Sequence, residues 1–383
     1  MTSPDIQVVG MGFAGITAAR VLAEAGYRVH LTERRNHIGG NAYDHLDAAG
    51  VRVHRYGPHI FHTNAPRIFE FLSRFTGWRD YEHRVLAKIG EQLLPVPINR
   101  TTINALYGLA LNEPGVEAFL ARVREPRDAC VTSEDVVLAS VGRDLCEKFF
   151  RGYSRKQWGL DLSELAATVV ARIPVRSNDD DRYFTDRYQC MPADGYTAMF
   201  ERMLAHPLLS HETGVDGIAA RARIGARHVI HTGPIDAWYA HCHGALPYRS
   251  IEFRHEHLAG VARLQAVATI NYPNDFAYTR VTEFKQLTGQ VHPGTSIVRE
   301  FPCATGEPFY PIPRPANQAL FQRYRTLADD ERDVTFVGRL AQYRYYNMDQ
   351  AVAAAMTAAA RVIEIVGAPA ARVTSRSLPV RRP

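Results

Sequence analysis

The chain has 383 residues, of which 46% are hydrophobic and 22% are charged, and its formal net charge is +5. This length is too great for one compact core and is typical of a globular protein with two or three domains. The basic residues form no run that indicates nucleic-acid binding, and no apolar stretch reaches the roughly 18 residues of a membrane span. We therefore expect no nucleic acid and no membrane as partner. The predominance of arginine over lysine favours recognition of a small anion.

The cysteines indicate the redox environment. The five of them are scattered, odd in number and without a C-x-x-C pair, at positions Cys130, Cys146, Cys190, Cys242 and Cys303. That pattern predicts neither a disulfide framework nor a zinc site. The N-terminal residues also lack the basic and apolar regions of a secretory signal. Both observations favour a cytoplasmic location.

The first predicted element is a buried strand over residues 6 to 10, which leads into Gly10, Gly12 and Gly15 with the spacing G-x-G-x-x-G. In dinucleotide-binding folds the first glycine allows a tight turn, the second lets a pyrophosphate approach the backbone, and the third lets the helix pack on the sheet. A second predicted strand ends at Glu33, 18 residues after Gly15. A carboxylate there accepts hydrogen bonds from a ribose diol and repels a 2′-phosphate. The segment predicts a dinucleotide site.

A second glycine pair, Gly39-Gly40, follows almost at once and precedes Asn41. NAD enzymes of the simple doubly wound type do not need such a pair. Flavoproteins often place a glycine turn here, where the backbone passes the cofactor. The pair therefore favours FAD over NAD.

The rest of the chain divides by its hydrophobic pattern. From about 64 to 160 the apolar spacing is mostly helical, with a helix start near Ser133 and a proline-punctuated loop over 93 to 99. From about 165 to 310, β-branched runs between turn signals predict strands. A last strand, DVTFVGRL, precedes an alanine-rich helix that opens at Asn347, and a tail begins at about 368.

Ten motifs carry unusual combinations of glycine, histidine, aromatic and arginine residues. They are GGNAYD, YGPHIFHT, GYSRKQWG, ARIPVR, DDRYFTDRYQ, TGPID, LPYRSIEFR, YTRVTEFK, PFYPIPRP and GRLAQYRYYNMDQ. Together they resemble the bacterial UDP-galactopyranose mutases. The resemblance runs from about residue 6 to 360, with the motifs in the family's order.

The resemblance implies an isomerase that interconverts UDP-galactopyranose and UDP-galactofuranose with no net redox change. Its cofactor is FAD in the reduced form, whose N5 attacks the anomeric carbon and expels UDP. The sugar ring then opens and closes through another hydroxyl before UDP returns. The resemblance also implies a homodimer, a nucleotide-sugar substrate and an external reductant that the sequence does not identify.

The implied fold is α/β, with an FAD-binding Rossmann-like domain, an inserted helical domain and a twisted antiparallel sheet domain. We assign residues 1–80, 190–245 and 316–367 to the FAD-binding domain and residues 81–165 to the helical domain. Residues 166–189 and 246–315 form the sheet domain, with a mobile lid at about 172–189. Residues 368–383 are expected to be a flexible tail.

The resemblance also suggests how substrate is bound. UDP leaves with its charge on the diphosphate, so fixed cations are needed there, and arginine binds phosphate oxygens in a bidentate manner. Arg172 and Arg280 match the two family arginines at this group. Further candidates for substrate binding are Tyr183, Tyr310 and Tyr345 at the diphosphate, Tyr153, Trp158, Phe149 and Phe150 at the uridine, and Arg249, Asn271 and His83.

Histidines and the chain's last helix complete the predicted site. His62 and His59 line the flavin and sugar, although flavin N5 and N1 could handle the protons instead. Gly338, Arg339 and Met348 are expected against the isoalloxazine, where a helix N-terminus stabilises an anionic flavin. The other cofactor candidates are Gly10, Gly12, Gly15, Glu33, Arg34, Gly40 and Asn41. Asn347 stands where bacterial members commonly have aspartate, which puts any role for a carboxylate there in doubt.

Alternative functions remain open at this level. A mutase of the same mechanism could act on dTDP-fucopyranose, UDP-arabinopyranose or UDP-N-acetylgalactosamine. An amine-oxidase-like flavoenzyme shares the N-terminal pattern but leaves Arg172 and Arg280 without a purpose, and a non-catalytic protein of the same fold would bind no flavin. His241, Cys242 and His243 could place two histidines on one side of a strand, but no further ligand follows nearby, so we expect no metal.

Overall fold

The computed structural model describes residues 3–170 and 174–369. Arg172 and residues 370–383 of the predicted tail lie outside the described residues. In chain order the strands are β1 (Ile6–Val9), β2 (Val29–Glu33), β3 (Asp44–Leu46), β4 (Arg52–His54), β5 (Phe61–Thr63), β6 (Trp78–Asp80), β7 (Val85–Ile89), β8 (Gln92–Val96), β9 (Tyr188–Pro192), β10 (Leu209–Thr213), β11 (His228–His231), β12 (Tyr248–Leu258), β13 (Thr269–Asn271), β14 (Arg280–Glu283), β15 (Thr295–Cys303), β16 (Tyr310–Pro311) and β17 (Val334–Phe336).

The α-helices, again in chain order, are α1 (Phe13–Glu24), α2 (Pro66–Ser73), α3 (Arg100–Tyr107), α4 (Glu113–Val123), α5 (Ser133–Leu145), α6 (Gly152–Trp158), α7 (Tyr196–Leu204), α8 (Arg221–Ile224), α9 (Ile235–Trp238), α10 (Phe284–Thr288), α11 (Pro315–Asp329) and α12 (Met348–Val366). A π-helical segment, Cys146–Arg151, joins α5 to α6.

A five-stranded parallel sheet carries the N-terminal glycine motif. Its order is β10-β2-β1-β11-β17, so the chain crosses over between neighbouring strands as in other doubly wound folds. α12 packs against α1 through small side chains at helical spacing, and Val352, Ala355, Ala359 and Val362 are fully buried. The predicted alanine-rich helix therefore covers the helix that follows the glycine turn.

A seven-stranded sheet forms the second layer that shapes the site. Its order is β16-β12-β15-β14-β13-β7-β8, and its pairs are antiparallel except for β13 with β7. A smaller sheet pairs β5 and β6 with β9, which begins in the last two residues of the predicted lid. The α/β fold class predicted from the sequence, with a parallel and a largely antiparallel sheet, is confirmed.

Two local predictions differ from the structure. Residues 85 to 96, assigned to the helical segment, form the β7–β8 hairpin at the edge of the seven-stranded sheet, and Leu93 to Val96 of the expected loop belong to β8. The physical reason is visible in β7, where Val85, Ala87 and Ile89 are buried in alternation. That period of two is typical of a strand with one buried face. Within residues 81–165, the predicted helical domain, the first α-helix is therefore α3, which begins at Arg100.

The helical segment has its own core, which is separate from that of the parallel sheet. It includes residues of β7 and β8, α3, α4, α5 and the π-helical segment. The helix start predicted near Ser133 is confirmed, because α5 begins there with Thr132 as its N-cap. The backbone N–H of Asp135 donates to Thr132 Oγ1 at 3.2 Å, and Asp135 Oδ2 accepts the Thr132 N–H at 2.9 Å.

We expect Thr132→Ala to lower the free energy of unfolding by about 1 kcal/mol, because it removes a helix cap from α5. Urea denaturation followed by circular dichroism measures this change. The control is Thr357→Ala on the exposed face of α12, whose hydroxyl donates to the Ala353 carbonyl within the helix. We expect no loss of stability there, since alanine favours a helix interior. Equal effects of the two substitutions would contradict the capping role.

Candidate functional site

The glycine turn between β1 and α1 leaves space for a ligand beside Gly12. Gly10 has a φ of +101°, and a Cβ on Gly15 would lie 1.9 Å from the Gly10 carbonyl oxygen, so both positions require glycine. At Gly12, the N-cap of α1, the nearest atom to an added Cβ is Gly40 Cα at 3.8 Å. The turn is therefore packed tightly except at Gly12, where a pyrophosphate could approach the backbone and the helix N-terminus.

Glu33, at the end of β2, lies beside this turn. Its carboxylate accepts the Met11 N–H at 2.8 Å and the Arg35 N–H at 3.0 Å, one on each oxygen. These two bonds fix the carboxylate at the carboxyl end of the parallel sheet. Each oxygen keeps a further lone pair for a ribose hydroxyl.

The predicted second glycine pair lies against the first turn. Gly39 N–H donates to the Met11 carbonyl at 2.8 Å, and a Cβ on Gly40 would lie 2.8 Å from Gly12 Cα. Asn41 follows, and its Oδ1 accepts two bonds from the Arg35 guanidinium, each of 3.1 Å. The two glycine turns therefore form one continuous backbone surface.

Arg35, the neighbour of the predicted cofactor residue Arg34, contacts the second glycine turn through Asn41. Arg34 is exposed, whereas the Arg35 guanidinium lies 4.2 Å from the Tyr56 ring centroid and pairs with Glu307. It thereby ties Asn41 to the chain that precedes β16. No local signal separates two adjacent arginines, because the partners of Arg35 come from distant segments.

The carboxyl end of β17 and the start of α12 form the opposite side of the site. Gly338 has a φ of +106°, and an added Cβ would lie 3.2 Å from Ala14 Cβ on α1. Met348 is the first residue of α12 and packs against the main core. Asn347 is the N-cap, and its backbone N–H donates to Gln350 Oε1 at 3.0 Å. The predicted opening of this helix at Asn347 is confirmed.

Arg280 and Glu300 form a charge pair in the seven-stranded sheet. They are directly opposite in the β14–β15 register, and Arg280 Nε lies 2.8 Å from Glu300 Oε2. The Glu300 side chain is 1% exposed, and neither of its oxygens has a hydrogen-bond partner among the described residues. Burial raises the pKa of the Glu300 carboxyl, and the Arg280 charge opposes that rise. Glu300, which the sequence analysis missed, therefore interacts chiefly with Arg280.

Arg280 stands at the centre of the predicted substrate residues. Burial raises the pKa of Tyr153 to about 12, and the positive charge of Arg280 opposes this shift. The same charge opposes the rise in pKa that burial causes at Tyr310, and it adds to the lowering that burial causes at His59 and His83. Because one guanidinium acts on all four side chains, they lie around Arg280 and border the space beside it.

Aromatic rings form one wall of that space. Tyr310 and Tyr345 lie nearly parallel, with centroids 5.5 Å apart, and the Trp158 ring meets Tyr310 edge-on at 6.2 Å. The Arg339 guanidinium lies 5.1 Å from the centroid of Tyr345 and donates to the Tyr346 carbonyl at 2.8 Å. The wall thus combines flat apolar faces, hydroxyl groups and a second cation.

Arg249 has a supporting position. Its buried side chain donates from Nε to the Gln157 carbonyl at 2.9 Å and from Nη2 to the Lys156 carbonyl at 3.2 Å. It holds the last turn of α6, which carries Trp158. Asn271 differs, because it lies opposite Arg280 in the β13–β14 register and therefore beside the site.

The predicted uridine wall is brought together only in part. Tyr153 and Trp158 lie on α6, near Arg280 and Tyr310 respectively. Phe149 is 7% exposed and packs in the core of the helical segment, and Phe150 is half-buried beside that core. The structure therefore packs Phe149 in the core of the helical segment. Of the predicted uridine wall, Tyr153 and Trp158 are the members that lie near Arg280 and Tyr310.

Three histidines border the space. Burial lowers the pKa of both His59 and His83 to about 3, so both rings are neutral near pH 7. His59 Nδ1 lies 2.9 Å from the Gly57 carbonyl oxygen, and His83 Nδ1 lies 3.0 Å from the Tyr81 hydroxyl. His62 Nδ1 lies 2.9 Å from Asp186 Oδ2, which places the proton on Nδ1 and leaves Nε2 as an acceptor in the neutral ring.

The predicted lid rests on these histidines over its described part. Phe184 stacks on the His62 ring at 3.7 Å, and Tyr183 N–H donates to the His83 carbonyl at 2.7 Å. Asn64 Nδ2 donates to the second oxygen of Asp186 at 2.8 Å. The sequence indicates this polar stretch as a lid but gives no signal for the role of Asp186, because its partners are more than 120 residues away.

The motif His241-Cys242-His243 lies in a turn after α9, not on a strand. His241 Nδ1 lies 3.1 Å from Asp236 Oδ2, and Arg323 contacts His243. Across residues 3–170 and 174–369 no three His, Cys, Asp or Glu side chains converge as metal ligands. Within those same ranges, no helix combines the length and apolar character of a membrane span.

Comparisons with known proteins give relatives over most of the chain. A profile of the UDP-galactopyranose mutase family matches residues 148–345, and one of an NAD(P)-binding Rossmann-like domain matches residues 8–75. A probable UDP-galactopyranose mutase of Klebsiella pneumoniae is 39% identical over 370 residues, which cover 94% of each chain. A dTDP-fucopyranose mutase of Escherichia coli is 35% identical over 372 residues, covering 92% of this chain and 97% of the relative. A crystal structure of reduced UDP-galactopyranose mutase has a TM-score of 0.75 at 18% identity, covering 95% of this chain and 96% of the other, and supports the fold.

The residues present fit FAD, the cofactor of this family. The open backbone at Gly12 and the fixed carboxylate of Glu33 match the pyrophosphate and ribose of a dinucleotide. The N-terminus of α12 supplies the dipole expected beside a flavin anion. By sequence match, fold and site, this chain belongs to the UDP-galactopyranose mutase family of FAD-dependent isomerases.

Proposed function

We propose that the chain interconverts UDP-galactopyranose and UDP-galactofuranose with no net redox change. The observation that carries the proposal is the Arg280 guanidinium, supported by buried Glu300 and surrounded by Tyr153 and Tyr310. A fixed cation next to tyrosine hydroxyls suits a diphosphate that gains negative charge as it leaves. The Klebsiella pneumoniae relative, named as a probable mutase for this sugar nucleotide, supports the same substrate.

In the proposed complex the chain's own groups hold the nucleotide. Arg280 binds diphosphate oxygens, the hydroxyls of Tyr310 and Tyr345 donate to them, and Trp158 and Tyr153 pack against the uracil. Arg172, outside the described residues, is proposed as the second diphosphate cation. Because guanidinium groups keep their charge at all physiological pH values, the leaving group is stabilised throughout the reaction.

FAD is proposed to lie along Gly10, Gly12, Glu33 and Asn41, with its ring system near Gly338 and Met348. When bound and reduced, it supplies the N5 nucleophile for the anomeric carbon. The N-terminus of α12 then stabilises negative charge on the reduced ring. His62 can accept a sugar hydroxyl proton at Nε2, while neutral His59 and His83 provide hydrogen bonds without adding charge.

Several broader properties follow from the family. We propose a cytoplasmic homodimer that is kept active by an external reductant. We also propose that residues 172 to 189 act as a mobile lid, which leaves His62 and His83 when substrate enters and returns to exclude water. The domain boundaries given above remain our proposal, with β7 and β8 assigned to the seven-stranded sheet.

A second candidate substrate is dTDP-fucopyranose. The Escherichia coli dTDP-fucopyranose mutase covers 92% of this chain, close to the 94% of the Klebsiella pneumoniae relative. Asn347 also removes a charge that bacterial UDP-galactopyranose mutases commonly have, so the sugar contact differs there. This candidate keeps the same diphosphate site and the same cofactor.

We expect the dithionite-reduced protein to convert UDP-galactofuranose to UDP-galactopyranose, measured by chromatography of the two nucleotides. The oxidised protein is the control and should show no conversion. Parallel reactions contain dTDP-fucofuranose, UDP-arabinofuranose and the furanose form of UDP-N-acetylgalactosamine. A higher kcat/KM with the fucose nucleotide supports the second candidate, and no conversion of any nucleotide sugar by reduced protein contradicts mutase function.

We expect Arg280→Ala to lower kcat/KM by about tenfold or more, since a charge-assisted hydrogen bond contributes about 1.5–3 kcal/mol. Flavin content should stay at the wild-type level, because Arg280 is proposed to contact UDP. Arg299→Ala is the matched control, since Arg299 is the neighbour of Glu300 on β15 and pairs with Glu256 instead.

The single substitution leaves Glu300 buried without its partner, which destabilises the fold. The double variant Arg280→Met with Glu300→Gln removes both charges and separates the two effects. It should recover thermal stability but not activity. Wild-type activity in either Arg280 variant would show that the diphosphate assignment is wrong.

We expect Gly12→Val to lose bound flavin while the protein stays folded. An added Cβ meets no atom closer than 3.8 Å in the protein itself, but the side chain occupies the approach to the backbone. The visible absorbance of flavin relative to protein measures the loss, and circular dichroism checks the fold. Gly77→Val is the control, since its added Cβ also has its nearest neighbour at 3.8 Å, outside the cofactor turn. Equal flavin content in the two variants would contradict the proposed pyrophosphate site.

A further inference from the structure

The loop between β13 and β14, residues 272 to 279, surrounds the ammonium group of Lys156. Lys156 Nζ lies within hydrogen-bond distance of four backbone carbonyls, those of Tyr272, Asp275 at 2.9 Å, Phe276 at 3.3 Å and Tyr278 at 3.2 Å. An ammonium has three N–H donors, so the four carbonyls of the loop are enough to accept all of its hydrogen bonds. The Lys156 side chain is therefore committed to this loop and is not free to bind phosphate.

Two further contacts fix the same loop on the same helical segment. An added Cβ on Gly152 would lie 2.3 Å from Asn274 Oδ1 and 2.6 Å from the Pro273 carbonyl, so α6 and the loop touch at backbone distance. Asn274 Nδ2 donates to the Lys148 carbonyl at 2.9 Å. The contacts at Lys148, Gly152 and Lys156 run along one side of the segment from the π-helix to α6.

The loop also holds a strained residue. Phe276 has a φ of +54°, a left-handed conformation that an aromatic residue rarely adopts. Its ring is 60% exposed and stacks on Tyr278, so core packing does not hold it there. The carbonyls of Asp275, Phe276 and Tyr278 all face Lys156, so the ammonium restrains this conformation directly.

The loop 272–279 and the helix α6, which these contacts join, each adjoin or carry part of the proposed nucleotide site. The loop ends at β14, whose first residue is Arg280, and begins after Asn271, its partner in the register. The helix α6 carries Tyr153 and Trp158. A movement of the loop away from α6 would therefore separate the diphosphate cation from the aromatic wall.

We propose that Lys156 is a positioning residue for nucleotide binding, which holds the loop 272–279 on α6 and so sets the distance between Arg280 and Tyr153. This role rests on the proposed function, because it assigns the cleft between these side chains to a nucleotide. It assigns to the lysine of the GYSRKQWG motif a task that does not involve contact with substrate. Burial lowers the pKa of Lys156 to about 8, so the ammonium is still largely charged at pH 7.

The test compares Lys156→Met with a matched control, Lys285→Met. Lys285 is also held by backbone carbonyls, those of Ala262 at 3.0 Å, Gly294 at 2.9 Å and His292, but it lies on α10 and contacts no predicted site residue. Both variants lose an ammonium that organises a loop. Only Lys156→Met should affect the nucleotide cleft.

Three measurements are made on the flavin-bound protein. They are amide hydrogen exchange over residues 272 to 279, the dissociation constant of UDP by calorimetry, and the flavin content. For Lys156→Met we expect faster exchange in the loop, UDP binding that is weaker by about tenfold or more, and unchanged flavin content. Lys285→Met should keep the wild-type affinity for UDP whatever its thermal stability, which separates positioning from a general loss of stability.

The outcomes distinguish the two proposals. If Lys156→Met binds UDP as the wild type does, or if exchange in the loop is unchanged, the positioning role is wrong. If Lys285→Met weakens UDP binding equally, the effect is one of stability and the positioning role is again wrong. If the wild-type protein binds no UDP, the proposed function fails, and hydrogen exchange still tests the contact between Lys156 and the loop.

Discussion

The site depends on one charge pair, between Arg280 and Glu300. Glu300 is buried whereas the Arg280 side chain is 25% exposed, so the carboxylate needs a balancing charge, and Arg280 supplies it from the adjacent strand at 2.8 Å. With its carboxylate otherwise unpartnered, Glu300 interacts chiefly with this cation. The remaining donors of Arg280 can then face the cleft. The aromatic rings, the histidines and the lid lie around a charge that the fold has already paired.

Around that pair the fold brings together segments that are far apart in the chain. The parallel sheet places two glycine turns in backbone contact, and the seven-stranded sheet presents Arg280 and Tyr310. The helix α6 is held from two sides, by Arg249 at its last carbonyls and by Lys156 on the loop 272–279. The predicted lid contacts the same region through Asp186, which lies 2.9 Å from His62. Each of these contacts joins residues that are far apart in the sequence.

Much of the cofactor site could be predicted from the sequence, since its signals are local. The glycine spacing, Glu33 at the end of β2 and the helix start at Asn347 each depend on residues close in the chain. The β7–β8 hairpin was missed because a short strand with a period of two lies within a largely helical stretch. Phe149 illustrates another limit, since this aromatic residue, three positions before the GYSRKQWG motif, packs in the core of the helical segment.

The sequence alone determined the dinucleotide turn, the preference for FAD and the family, because those features follow from residue types at fixed spacing. Only the tertiary structure identified the partners of the candidate site residues: Glu300 beside Arg280, Arg35 on Asn41, Asp186 on His62, and four carbonyls around Lys156. The reason is physical. A charge or an ammonium is stabilised by whatever group lies within a few ångströms of it, and folding, not position in the chain, decides which group that is.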